Sequence, residues 1–420
     1  MTRGRIRALR PLRHRDFALM WAGLAASLVG DGVYLVAIAW QAYELSGTPA
    51  ALSAVGFAWT LPTVLFLLVG GVVSDRRERR RVMLGADALR AVVVAAVAVL
   101  SMTGALELWQ LVVLVALYGV GDSLFLPASI AIVPTLVPSD ELVHANALEQ
   151  LVRPLALRFI GPALGGVIVA ASGVGTAFGF DAATFVVSAA CLAAMRSLPA
   201  PDGRVTRTLR QGFREGAREA REGLRYVRSH AWLWATLGAA SLSIFLYYGP
   251  LQVLLPFRIK NELGLGAGTF GAVLAAGGLA RIAAALAIGQ RGLPRRHVTT
   301  MYLCWAAGTA AIAGFAYATS SWELMAIAAL SGLFEAVGAL TWGTLMQTLV
   351  PGRLLGRVSS VDFLVSIGFV PLSFALAGPL AEAIGTRVVL TGAGVLGAVC
   401  VSAFLFVPGV RDPERAAART

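Results

Sequence analysis

The chain has 420 residues, 57% hydrophobic and only 14% charged, with a mean hydropathy of +0.75. A soluble domain is about 25% charged, so this composition excludes an ordinary soluble enzyme and points to a polytopic membrane protein. The net charge of +12 does not imply a nucleic-acid partner, because the basic residues sit in short gaps between apolar runs without interleaved aromatics.

A membrane-spanning helix needs about 20 mostly apolar residues, and twelve such segments are expected. Those before the middle of the chain are 17–43, 49–74, 81–103, 108–134, 145–171 and 175–196. Those after it are 231–258, 267–290, 297–318, 322–347, 357–383 and 387–408. Span 1 is too long for a signal-peptide core and no small-residue cleavage pattern follows it, so it is expected to be retained. Between spans 2 and 3 lies a charged knot, Gly71 to Arg81, where two helices must turn around in water. The one long polar interruption, 197–230, is Arg-rich with a helical pattern from Gly212 to Val227. The expected organisation is therefore a terminal segment 1–16, a six-helix bundle 17–196, a linker 197–230, a second bundle 231–408 and a tail 409–420.

The arginines set the orientation. Counted outside the spans, with the span-end residues Arg81, Arg196, Arg357 and Arg387 included, 28 fall on one side, against Lys260 and Arg387 on the other. By the positive-inside rule both termini and the linker are expected in the cytoplasm, with the protein in the cell membrane. The basic clusters also favour anionic lipid headgroups as neighbours. No zinc or disulfide framework is expected: there is no Cys-x-x-Cys, and Cys191, Cys304 and Cys400 all lie in apolar runs.

The two halves repeat. Thr135-Leu136-Val137-Pro138 recurs as Thr348-Leu349-Val350-Pro351, an offset of 213 that also sets Asp122 on Glu335, Glu149 on Asp362 and Gly119 on Gly332. Gly161-Pro162 answers Gly378-Pro379, and the 71–81 loop answers a degraded Gln290 to His297 without its Asp. Six spans in each copy give parallel repeats related by an axis along the membrane normal. The predicted fold is thus all-α, with twelve transmembrane helices in two pseudo-symmetric six-helix bundles. Such a plan places a substrate between the halves near the midplane; a monomer is expected.

An ionisable group inside a span costs about 2.5–3.5 kcal/mol on insertion scales, so each is a functional candidate. Asp31, Asp122 and Glu335 fall at mid-span, with Arg281 as an intramembrane counter-charge, and Asp181 lies in the outer third of span 6. Low dielectric favours the protonated carboxyl, so the mid-span acids could load and release a proton, or recognise a cation; alternatively they are ionised acids fixing helix packing. Arg281 reads equally as ion-pair partner or substrate contact. Nearer the cytoplasm, Asp87 and Arg90 are spaced i,i+3, and Glu149 and Arg153 i,i+4. These, with Asp362, are expected as charged networks that support a cytoplasmic gate. The greasy cavity candidates are Tyr34, Trp59, Tyr247, Tyr248 and Trp342, against a reading as interfacial belt residues.

These residues resemble the major facilitator superfamily along the whole chain. Its signature loop between helices 2 and 3, Gly-x-x-x-Asp-Arg-x-Gly-Arg-Arg, is matched by Gly71, Asp75, Arg76, Arg79 and Arg80, with Glu78 where the family often has Gly. Span 5 carries Gly161-Pro162-Ala163-Leu164-Gly165-Gly166, similar to the core of the pattern associated with drug antiporters. Leu28 to Gly32 and Tyr43 to Thr48 look like the subgroup of macrolide and enterobactin exporters. The Arg-x-x-x-Gly motif of helix 4 is absent, Tyr118-Gly119-Val120-Gly121-Asp122 standing there instead.

In this frame Asp75 is expected to accept hydrogen bonds from the N-terminal end of span 11 near Arg357 to Ser360, or merely to stabilise its own turn. The cluster Arg76 to Arg81 is expected mainly as orientation signal and lipid anchor. There is no P-loop and no catalytic-triad spacing, so the chain is expected to be no enzyme and to need no cofactor. Its energy source would be an ion gradient, and the resemblance implies protons. The leading reading is proton-coupled efflux of amphipathic small molecules such as drugs or a siderophore. A proton-coupled importer of a nutrient or polar solute, a lipid flippase and a non-transporting scaffold are the alternatives.

Overall fold

Among the described residues, twelve helices are long and apolar enough to cross a membrane, and no residue lies in a strand. The structure, a computed structural model, describes residues 7–196, 218, 221–292 and 294–417; the side chains of Arg7, Ala8, Leu68, Asp75, Ala416 and Ala417 lie outside the described set. The membrane helices of the first half are α1 (Arg15–Leu45), α2 (Pro49–Arg76), α3 (Arg79–Met102), α4 (Leu108–Leu136), α5 (Ser139–Ser172) and α6 (Val174–Ala194). Those of the second are α7 (Ala231–Glu262), α8 (Ala267–Arg291), α9 (His297–Ala316), α10 (Ser321–Leu349), α11 (Gly352–Ile384) and α12 (Thr386–Phe404). Each overlaps its expected span. Large apolar residues such as Val99, Ile130, Val167, Leu286 and Val399 are left exposed, as lipid-facing helices require.

Helix ends follow the local sequence. Glu107 with Gln110 opens α4, and Ser320 with Glu323 opens α10, each as a capping box. Between α5 and α6 the chain reverses at Gly173 with φ 83°, and between α11 and α12 at Gly385 with φ 90°. Only glycine adopts that backbone without strain.

The helices fall into two compact units. The first holds α1, α2 from Ala58 onward, α3 to α6 and the start of α8, Gly266–Ala275. The second holds the start of α2, Thr48–Phe57, with α7, the rest of α8 and α9 to α12. Close backbone crossings explain both exchanges. In the first unit a Cβ on Gly271 would lie 2.5 Å from the Pro162 carbonyl and 2.7 Å from the Gly166 Cα. In the second, a Cβ on Gly378 would lie 2.6 Å from both the Pro49 carbonyl and Ser53 Oγ, and the Gly378 N–H donates to that hydroxyl at 2.7 Å. Small residues allow such approach, and dispersion contacts then hold the helices where no hydrophobic force distinguishes lipid from protein.

The internal repeat recurs within the units. A Cβ on Gly119 would meet the Trp59 carbonyl at 2.3 Å, and one on Gly332 the Gly277 carbonyl at 2.4 Å, so α4 on α2 is repeated as α10 on α8. Pro154 and Pro162 of α5 are matched by Pro371 and Pro379 of α11. Both helices are interrupted: α5 by a π-turn at Ala156–Ile160, α11 at Phe369. Pro162 has no N–H for the carbonyl one turn back, and the wider turn accommodates that loss.

The 71–81 stretch is mostly helical. α2 runs through Arg76 and α3 starts at Arg79, leaving Arg77 and Glu78 as the turn. Gly71 has open space where a Cβ would be. Arg79 donates to the Ala131 carbonyl of α4 at 2.8 Å and Arg80 to the Met195 carbonyl after α6 at 2.7 Å. The Met195 carbonyl lies at the negative end of α6, which suits a guanidinium, and both arginines tie α3 to neighbouring helices of the first unit. The linker residues 197–217, 219 and 220 lie outside the described residues, and 221–229 are helical. There Glu222 pairs with Arg357 of α11, and a Cβ on Gly223 would stand 2.7 Å from the Arg357 carbonyl. That docking of the linker helix was not foreseen from sequence.

Candidate functional site

Arg90 of α3 is the centre of the first unit's polar interior. Only 3% exposed, its guanidinium lies between the Phe125 and Phe185 rings, 4.4 and 4.5 Å from their centroids. It donates to Asp87 Oδ1 at 2.5 Å and to Asp122 Oδ1 at 3.0 Å. Gly121 makes room for it, since a Cβ there would stand 2.7 Å from the Arg90 Cγ. The Tyr118 to Asp122 segment therefore works as a unit: Gly119 admits α2, Gly121 admits Arg90, and Asp122 binds it. The cation missing from α4 is supplied by α3.

The carboxyls differ in what reaches them. Asp87 also accepts from Ser188 of α6 at 2.7 Å, and Asp122 from the Trp59 indole of α2 at 2.9 Å. Asp31 of α1 accepts from the Tyr118 hydroxyl at 2.6 Å. Tyr34 stacks on Tyr118 with ring centroids 4.7 Å apart and planes 8° from parallel. Asp181 of α6 is fully buried, and its Oδ2 receives no hydrogen bond among the described residues. Of these four carboxyl groups, two bind the guanidinium directly.

The second unit holds a cavity of about 220 Å³. Glu335, Asp362, Trp342, Trp305, Tyr247 and Ser243 are in its wall. Glu335 is ion-paired with Arg281. Asp362 accepts from the Trp342 indole at 3.2 Å and from Ser366 at 3.4 Å. An indole donating to a carboxylate therefore occurs in each unit, Trp59 to Asp122 and Trp342 to Asp362. The cavity offers two acids beside aromatic walls, a combination suited to a partly apolar molecule bearing donors or positive charge.

Several sequence expectations are corrected. Asp87 and Arg90 are not a pair apart from the mid-span acids: the fork of Arg90 reaches Asp122 as well, and Tyr118 ties Asp31 to the same helix. Glu149 and Arg153 form no hydrogen bond or ion pair among the described residues; Glu149 Oε1 is buried without a hydrogen-bond partner. Asp362 does not repeat Glu149 in a charged network, because its partners are an indole and a hydroxyl in the cavity wall. Arg281 is an ion-pair partner of Glu335. Asp122 and Glu335 each hold an arginine, but from α3 in one unit and α8 in the other. Tyr247 lines the cavity, whereas Tyr248 packs edge-on against Phe374 at 5.9 Å and does not. Tyr34 and Trp59 belong to the acid cluster. Gly161, Pro162, Gly165 and Gly166 pack α5 against α1 and the start of α8, with a Cβ on Gly165 only 2.9 Å from the Val33 Cα.

Tyr118, Ser188 and Gly121 were not among the expected site residues, and Asp181 was placed without a partner. A signal existed: Asp181, Thr184 and Ser188 form a polar stripe at i, i+3, i+7 on an otherwise apolar helix, and Tyr118 lies i−4 from Asp122. Among the described residues no group of acids, histidines or cysteines is arranged to hold a metal ion.

With this geometry in hand, comparison with known proteins is informative. Residues 6–418 match the family described as transmembrane secretion effectors. The multidrug efflux pump Tap of Mycolicibacterium fortuitum is 30% identical over 419 residues, covering 95% of this chain and 97% of that protein. Macrolide efflux protein A of Streptococcus pyogenes is 26% identical over 240 residues, 57% of this chain and 58% of that protein. Among solved structures, a bacterial homologue of the iron transporter ferroportin in its inward-facing state superposes with a TM-score of 0.69 at 17% identity, covering 93% of this chain and 98% of that one. Twelve membrane helices, a repeated six-helix plan, a buried charge cluster and these likenesses agree: the chain belongs to the transmembrane secretion effector family of the major facilitator superfamily, and is a multi-pass membrane secondary transporter and not an enzyme.

Proposed function

We propose that the protein exports amphipathic small molecules in exchange for protons by alternating access, as a monomer with both termini and the linker in the cytoplasm. The observation that carries the proton half is the charge count of the first unit. Asp31, Asp87, Asp122 and Asp181 surround one buried cation, Arg90, and unmatched charge in a low-dielectric interior is costly. Protons balance such a cluster, and their gain and loss can be coupled to exposure on alternate sides. The substrate half rests on the cavity of the second unit, where Trp305, Trp342 and Tyr247 meet Glu335 and Asp362. Efflux as the direction, and drug-like or macrolide-like substrates, rest on the names of the relatives. The orientation rests on the 28-to-2 arginine asymmetry.

The test is transport in proteoliposomes under an imposed pH gradient, with a quaternary aromatic dye and a catecholate siderophore as probes. A permanently charged dye avoids passive trapping of a weak base. Antiport predicts accumulation in the acidic compartment, abolished when the gradient is collapsed. If neither probe moves with the gradient and a sodium gradient drives one of them, proton coupling is wrong. A polar-solute importer is the second reading, favoured by the hydroxyls of Ser243, Thr309, Ser331 and Ser366 in the same wall; accumulation on the alkaline side would support it.

A further inference from the structure

The supply of hydrogen-bond donors divides the four acids of the first unit into two classes. Asp87 and Asp122 each have both oxygens met: Asp87 by Arg90 and Ser188, Asp122 by Arg90 and Trp59. Those donors suit carboxylates and engage both terminal nitrogens of the one guanidinium, whose Nε–H has no hydrogen-bond partner among the described residues. Asp31 receives a single donor, the Tyr118 hydroxyl. Asp181 receives almost none. Its Oδ2 is unmatched, and Thr184 Oγ1 stands 3.4 Å from its Oδ1 while already donating to the Asp181 backbone carbonyl at 2.7 Å.

The surroundings offer Asp181 no further help. From α1 it faces Asp31 and Tyr34, from α3 Arg90, and from α4 Tyr118 and Asp122. The Gly161–Ser172 part of α5, also packed on α6, carries no titratable side chain. The two terminal nitrogens of Arg90 donate to the other two acids, and none of its hydrogen bonds goes to Asp181. Asp181 also reaches across the helix boundary: a Cβ on Gly30 would lie only 2.3 Å from its Oδ1, so Gly30 brings it against the backbone beside Asp31. A buried carboxylate without donors costs several kcal/mol, whereas a carboxylic acid supplies its own donor.

Accepting the proton-coupled reading above, we propose that the transported proton is carried by Asp31 and Asp181 as a pair across α1 and α6, with Asp181 the residue nothing else assigns to this role. Asp87 and Asp122 are the fixed counter-charges of Arg90. Loading forms one carboxyl O–H bond and unloading breaks it; no other bond changes, and the proton comes from and returns to water on opposite sides. Asp31 is half-buried and Asp181 fully buried, which makes Asp31 the point of entry and Asp181 the group that retains the proton while the site is closed. Two acids that share a proton titrate as one unit with two macroscopic steps.

The experiment uses the full-length protein in proteoliposomes with the quaternary dye. Wild type shows whether a pH gradient drives accumulation at all; without such drive the coupling reading itself fails. Given drive, Asp181→Asn is expected to lose gradient-driven accumulation at least tenfold and to flatten the pH profile of transport. Dye binding and dye–dye exchange without a gradient should remain within about twofold of wild type. Wild-type pH dependence and gradient drive in Asp181→Asn overturn the proposal and reduce Asp181 to a packing residue. Asp181→Glu serves where the Asn variant does not reach the membrane: it retains an ionisable group, so its transport should stay gradient-driven with a displaced pH midpoint. An unchanged midpoint in Asp181→Glu removes Asp181 from the proton path. Drive by sodium in place of protons overturns both readings.

Discussion

Arg90 shows how much one side chain can organise in a membrane interior. Its charge meets two carboxylates on different helices and its planar face meets two phenyl rings. Lysine cannot reproduce that fork-and-stack geometry. Removing it strands Asp87 and Asp122, and breaking a buried pair in this way costs about 3–5 kcal/mol. Arg90→Ala is therefore expected to reduce the yield of folded protein sharply and to lower its melting temperature in detergent. Arg90→Lys should fall between Ala and wild type. Equal melting of Arg90→Ala and wild type would mean that the cluster contributes little to the fold. The sequence made the ionisable residues of the spans visible, but not this connectivity. Spacing along α3 pairs Asp87 with Arg90, yet nothing local says that the same guanidinium turns to α4. That depends on Gly121, whose missing Cβ only has meaning once α3 lies against it.

At the scale of the helices, the glycines separate into those that hold a crossing and those that do not. A Cβ on Gly119 would press on the Trp59 backbone carbonyl at 2.3 Å, whereas one on Gly71 would meet nothing within 4 Å. Backbone cannot give way as a flexible side chain can. Gly119→Ala is expected to destabilise the first unit by about 1–3 kcal/mol, while Gly71→Ala, inside α2, should be neutral or slightly stabilising. Thermal unfolding of the two purified variants checks the contrast, and a Gly119→Ala as stable as Gly71→Ala would refute the crossing. The twelve helices were legible because hydropathy and length decide membrane spans. The two-fold repeat was legible because Thr-Leu-Val-Pro and Gly-Pro recur. The exchange of the starts of α2 and α8 between units was not, since it is set by backbone approach at Gly271 and Gly378. Nor was the pairing of Glu222 with Arg357, because a polar linker carries no signal of where it docks.

Across the whole molecule, the two repeats have kept one plan and diverged in chemistry. Among the described residues, the first unit concentrates acid around Arg90, and the second opens a cavity in which Glu335 pairs with Arg281 and Asp362 meets an indole and a hydroxyl. The proposed function assigns proton handling to the first unit and substrate contact to the second, and kinetics can test that division. Trp342→Ala removes an aromatic wall together with the donor to Asp362, and Asp362→Asn removes the charge that the indole and the Ser366 hydroxyl solvate. Both are expected to raise the KM for the quaternary dye by about tenfold, the loss of roughly 1.4 kcal/mol of contact, with the pH profile of kcat unchanged. Asp31→Asn should do the converse, altering the pH profile and gradient drive with little change in dye affinity. A set of variants in which KM and pH dependence move together, whichever unit is altered, would place proton and substrate on a shared site and reject the division. The two outcomes differ in mechanism as well as in location: a shared site couples by competition for the same carboxylates, whereas separate sites can couple only through the conformational equilibrium of the transporter.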